Sequence, residues 1–302
     1  MAAEFDTVLT IDWSGGGDRG LRPVKDAIWA CAGGQDGLEP PVYLRNRQVA
    51  SDWLTDRLRV ETGAGRRVLL GFDFPFGYPA GFAAVLTGRA DPLALWDWFA
   101  AQLEDGPEGS NRFELADRIN AGLPGLGPFW FNGTAQDLPH LPRKGRDRQG
   151  HGLPEKRLAE RAAKGAFTCW QMGGAGAVGS QAMTGIAALA RLRVALPDLC
   201  RVWPFEVTDS ARVVLVEIWP SLAAGALTLR KGEIKDAAQV RLMTDALLHL
   251  DGAGQLRALL ENVPAPAQRE EGWILGLAPE GGADAAFADA CARAARQPRR
   301  MR

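Results

Sequence analysis

The 302-residue chain is 46% hydrophobic and 24% charged, a globular balance that excludes a disordered or fibrous protein. Its 35 Lys and Arg against 36 Asp and Glu leave no global charge excess to draw nucleic acid or a membrane surface, so any such partner must be met by a local patch. The four cysteines, Cys31, Cys169, Cys200 and Cys291, lie far apart without CxxC spacing, and no run approaches the ~20 apolar residues of a membrane span; the expectation is a reduced, cytoplasmic protein, neither exported nor embedded.

In chain order, residues 7–12 (TVLTID) open with a short apolar run that reads as a buried strand. Residues 26–34 and 42–47 follow across Gly- and Pro-containing loops as hairpin partners, so the chain begins as a β-meander. Residues 51–63 read as a helix with Ser51 as N-cap and Gly63 near its end. A second buried strand is expected at 67–73 (RVLLGFD). From about Pro79 to Pro204 the chain turns rich in Gly, Pro and Trp, with helices expected at 91–105 and 180–196, and reads as an insertion within a single domain. Inside it, residues 143–164 hold eight Lys and Arg against three Asp and Glu, the one basic segment. A third buried strand at 212–219, a helix at 233–250 and a short strand at 272–279 complete the chain.

Each of the three most apolar runs contains or ends in an acid: Asp12, Asp73 and Glu217. A carboxylate beside a buried strand is costly unless it is paired, hydrogen-bonded or bound to a metal. Strand ends of one sheet can bring such groups together, where a divalent cation relieves their repulsion. The expectation is one acidic cleft holding Mg²⁺ or Mn²⁺, since oxygen-only ligands suit these ions rather than Zn²⁺. The three histidines, His140, His151 and His249, have no ligand spacing. In the last long helix Asp236 and Asp245 are nine positions apart and so face opposite ways; Asp236, in the first turn, is favoured as a fourth ligand.

Plain alternatives stand beside each residue. Asp12 can open a turn, Asp73 can end a strand before Pro75, Glu217 can be an ion-paired edge residue, and Asp236 can be a helix-start cap. The basic segment can be a solvated face, and the glycine run 173–179 before Ser180 can be either an anion cradle or a flexible loop feeding a helix.

At these residues the chain resembles a predicted-nuclease family of uncharacterised proteins within the ribonuclease-H-like superfamily. The likeness runs through 7–17, 70–79, 180–192, 215–221, 235–247 and 270–277, about a quarter of the chain. It implies a five-stranded mixed sheet flanked by helices, with Asp12 and Asp73 on adjacent central strands, the latter on the fourth strand, a large helical and loop insertion after it, and a terminal hairpin. It also implies that Asp12, Asp73, Glu217 and Asp236 are both catalytic and metal-binding. The last helix departs from the pattern, because where the family often shows paired acids Asp236 is followed by Gln239.

The function expected is divalent-metal-dependent phosphodiester hydrolysis on nucleic acid or a nucleotide. In that case the basic segment approaches phosphates, and Trp130, Trp170 or Phe129 and Phe131 stack on bases. Two alternatives remain: a non-catalytic accessory protein handling a nucleotide or cofactor, and an ATP-binding protein of the actin and sugar-kinase type, since IDWSGGG resembles that fold's phosphate loop. Cys169 lacks an assured His partner and is no candidate nucleophile.

Overall fold

A computed structural model describes residues 3–302. Its opening meander is β1 (Thr7–Asp12), β2 (Ile28–Gly34), β3 (Gly37–Leu38) and β4 (Val42–Leu44). Helix α1 (Arg47–Gly63) starts ahead of the expected Ser51, because Asn46 is extended and its side chain accepts the Val49 N–H. Ser51 sits inside the helix and only its backbone is used, accepting Thr55 Oγ1. Strand β5 (Val68–Phe72) is buried at every position, as a central parallel strand requires.

The glycine-, proline- and tryptophan-rich stretch then forms α2 (Phe82–Thr87), α3 (Pro92–Gln102) capped by Asp91, a small hairpin of β6 (Asp105–Gly106) and β7 (Gly109–Ser110), α4 (Arg112–Ala121), α5 (Leu158–Ala162) and α6 (Gly179–Ala195). Strands β8 (Cys200–Val202) and β9 (Val213–Glu217) follow, then α7 (Lys235–Gly252), α8 (Leu256–Glu261) and α9 (Ala285–Arg296). No described helix is long and apolar enough to cross a membrane.

The main sheet is mixed and seven-stranded, in the order β3-β2-β1-β5-β9-β8 with β4 also on β2. β2 runs antiparallel to β1, whereas β1, β5, β9 and β8 are mutually parallel. The expected five strands become seven because the return strand breaks at Pro40 and Pro41 into β3 and β4, and because β8 joins the far edge. The acid-bearing strand placed fourth is therefore fifth in the chain. Two parts of the stretch read as an insertion belong to the central layers: β8 lies in the sheet and α6 packs on it. The expected strand at 272–279 and terminal hairpin reduce to single bridges, Glu217 to Ile274 and Leu277 to Ala283, because Gly276 adopts φ +85° and turns the chain.

Side chains alternate across the sheet. Leu9, Ile11, Leu70 and Phe72 point to the face covered by α1, α3 and α6. Val8, Leu69, Val214 and Val216 point to the face covered by α7 and α9. Each fully buried aliphatic side chain contributes about 1.5–3 kcal/mol, and truncating Leu70 to Ala at the sheet centre would cost about 2–5 kcal/mol. On the α7 face Thr10 replaces an apolar residue and satisfies its hydroxyl against Val240 O and Thr244 Oγ1, fixing α7 over β1.

Candidate functional site

β1 and β5 end side by side, with Ile11 opposite Phe72 in the parallel register. Asp12 and Asp73 are the next residues, so the pleat sends both toward the α7 side of the sheet, as it does Thr10. Each carboxyl group lies close enough to act on the other's ionisation. Burial first, then the charges of Asp73 and Asp236, hold the Asp12 carboxyl well above the usual carboxylate range. Burial likewise pushes Asp73 up to about 6, against the pull of hydrogen bonds from the Trp13 N–H and from Asp12. The Trp13 N–H lies 2.6 Å from Asp73 Oδ1 and fixes that side chain.

α7 brings in Asp236 from its first turn, where burial and the neighbouring Asp26 raise its pKa. The Asp26 N–H donates to Asp236 Oδ2 at 2.6 Å, tying the helix start to the loop that leads into β2. Asp245, the competing residue on the same helix, accepts the Arg299 N–H near the chain end at 3.0 Å. Asp236 is thus the helix acid that acts on the pair.

Glu217 takes a different position from the one expected of it. It pairs with Phe72 in the β5–β9 register and so projects from the face opposite Asp12 and Asp73. There it is buried and bound at both oxygens by Arg157, at 2.7 and 2.9 Å, with the Phe76 N–H also donating to Oε2 at 2.9 Å. Arg157 is itself buried against Glu160 and the Glu271 carbonyl. The ion-paired alternative therefore describes Glu217. A carboxylate satisfied in this way has no need of a metal.

Asp12 and Asp236 line a cavity of about 600 Å³ together with Asp26, Arg19 and Arg112. Two glycine-bearing segments form much of its wall, Ser14 to Gly16 and Gly173 to Val178, the second feeding α6. α6 holds the first segment closely: Gln181 Nε2 donates to Trp13 O at 2.6 Å, and Trp13 Nε1 donates to Thr184 Oγ1 at 3.3 Å. Arg47, buried and bound in a fork to Asp105, donates to the carbonyls of Ser14 and Gly16 and holds the loop that follows Asp12.

Among the described residues no three His, Cys, Asp or Glu side chains come together in an arrangement that could hold a metal ion. Two adjacent carboxyl groups, with no lysine or arginine ion-paired to either among the described residues, nonetheless match the needs of Mg²⁺, which takes one or two carboxylates and fills its other positions with water or substrate oxygens. The oxygen-only donor set fits Mg²⁺ or Mn²⁺ better than Zn²⁺, which favours Cys and His ligands.

Part of the basic segment and of the aromatic residues proposed for nucleic acid is used internally, while Lys144, Arg146, Arg161 and Lys164 are exposed and Trp130 and Phe131 half-buried. Arg157 is buried under Glu217, Arg148 pairs with Glu155 and lies over the Trp130 ring, Arg143 binds the Asn132 and Thr134 carbonyls, and no residue from 143 to 164 lines the cavity. Trp170 and Phe129 are wholly buried, packed with Tyr78 and Phe82, so neither can stack on a base. All four cysteines are free and buried, and burial raises the Cys169 thiol well above its usual range. Arg112, Arg19 and Asp26 escaped the sequence because each is isolated, with no motif around it. No family model, no curated protein and no solved structure matches the chain.

Proposed function

We propose that the chain is a divalent-metal-dependent phosphodiester hydrolase of ribonuclease-H-like architecture, acting on nucleic acid or a nucleotide, with Asp12 and Asp73 as the metal-binding pair and Asp236 as the third acid. The observation that carries this is the placing of Asp12 and Asp73 side by side at the ends of β1 and β5, with the Trp13 N–H bound by Asp73. Two desolvated carboxyl groups without a cationic partner are costly to keep, and a bound cation is the economical reason for them. The strand order supports the architecture: a central strand ending in Asp12 has an antiparallel neighbour on one side and, on the other, the parallel strand leading to Asp73.

Mg²⁺ or Mn²⁺ at this pair would polarise a phosphoryl oxygen and acidify a water. The chain's own residues prepare the centre. The Trp13 N–H orients Asp73, the Asp26 N–H orients Asp236, and Arg19 and Arg112 add positive charge to the cavity lining. Glu217 has no ligand role here; with Arg157 it ties the end of β9 to the segment after β5.

The ion-paired Glu217 also supports a second reading, a non-catalytic nucleotide-handling protein, because it leaves fewer free carboxylates than the resemblance implies. One experiment separates the two. Asp12→Asn, folded by circular dichroism, is expected to lose Mn²⁺-dependent hydrolysis of bis(p-nitrophenyl) phosphate by on the order of a hundredfold or more. An unchanged rate in the variant, or no metal-dependent rate in the wild type, removes the hydrolase assignment.

A further inference from the structure

We infer that the cavity beside Asp12 receives a small phosphate ester of about nucleotide size, with its phosphate held by Arg112; this rests on the proposal that Asp12 and Asp73 form the reacting centre. Arg112 is the first residue of α4 and faces the same cavity as Asp12 and Asp236. Its Nε donates to Ser180 Oγ at 3.0 Å and its Nη1 to Ser110 Oγ at 2.8 Å, both neutral acceptors. Asp105 and Glu114 act on it only through space, and Asp105 is already gripped by Arg47 at 2.5 Å. A half-buried guanidinium with no carboxylate in contact carries positive charge that the described residues do not neutralise.

The cavity lining therefore carries both signs of charge, Arg112 and Arg19 together with Asp12, Asp26 and Asp236. A phosphate ester suits such a lining, since its oxygens accept a guanidinium fork. The wall beside Arg112 adds donors: the Ser180 and Gln181 N–H groups open α6 and have no backbone acceptor among the described residues.

Size and charge select a small ester over a polymer. The volume of about 600 Å³ lies within the range of small-ligand pockets. Backbone recognition of a nucleic acid needs a track of positive charge and exposed stacking platforms. The one basic segment instead lies off the cavity, its Arg157 is buried under Glu217, and Trp170 and Phe129 are buried.

Calorimetry with inorganic phosphate, AMP and a single-stranded oligonucleotide, with Mg²⁺ and without it, tests this on the full chain. Wild type should bind AMP more tightly than the oligonucleotide, and Arg112→Gln should bind phosphate and AMP at least about tenfold more weakly. Should Arg112→Gln fail to fold, Arg112→Lys decides, with a loss of several-fold expected because a point charge replaces the fork. Equal affinity in wild type and the folded variant, no binding of phosphate or AMP, or tighter binding of the oligonucleotide overturns the inference. Binding is read without turnover. Arg112-dependent AMP binding in a protein that hydrolyses nothing keeps the inference and rejects the hydrolase; metal-dependent hydrolysis with Arg112-independent binding does the reverse.

Discussion

Arg157 grips both carboxylate oxygens of Glu217, Nη2 to Oε1 at 2.7 Å and Nη1 to Oε2 at 2.9 Å, in a place where neither side chain meets solvent. Removing one partner leaves the other charge buried and uncompensated. Arg157→Ala is expected to cost about 3–5 kcal/mol in urea unfolding, and Glu217→Gln somewhat less, because the amide still accepts from Arg157. Metal affinity and rate per folded molecule of Glu217→Gln should stay close to wild type. A collapse of metal affinity with unchanged stability would make Glu217 a ligand after all.

The burial of Asp73 gives a pH signature in metal-free buffer. An acid whose pKa in the folded protein exceeds its unfolded value contributes stability that is full below the unfolded value, near 4, and is lost as pH rises through the folded one. For Asp73 the folded value is about 6. Asp73→Asn cannot ionise and escapes this loss, while its amide oxygen still accepts the Trp13 N–H. In EDTA its melting temperature should gain on the wild type between about pH 4 and 6, by roughly 2–6 °C. Mg²⁺ at pH 7 should raise the melting temperature of the wild type and leave the variant unmoved. A difference that stays flat or shrinks with rising pH contradicts the burial of Asp73 as the source of its raised pKa.

Gly15 sits where the loop after Asp12 meets α6: a Cβ there would lie 2.6 Å from Ser180 Cβ and 3.0 Å from the Gln181 nitrogen. Gly15→Ala is expected to push the loop away, costing about 1–3 kcal/mol and lowering any metal-dependent rate through Asp12. Gly17→Ala is the control, since nothing lies within 4 Å of a Cβ at that position. Equal melting temperatures and rates for the two variants would show that the close approach is unimportant.

The composition and period of the apolar runs determine much of this protein. β1, β5 and β9 fall within the three runs read as buried strands, and α3, α6 and α7 within a few residues of their expected spans, because buried parallel strands and amphipathic helices write their environment into local residue order. The acids at the ends of those strands were legible for the same reason, an ionisable residue being conspicuous after an apolar run. The helix start at Asn46 was missed because several residues ahead of α1 can cap and only the backbone conformation chooses among them.

Only tertiary structure decided which acids meet. The pairing of Phe72 with Glu217 sends that carboxylate to the opposite face from Asp12 and Asp73, and register between distant strands is not encoded in either strand alone. Arg157 reads as one more residue of a basic segment until the fold carries it beneath β9, 60 positions away. Arg112 and Asp26 join the cavity for the same reason. What a charge does depends on the partner folding delivers to it, and long-range contacts, not neighbours in the chain, set that partner.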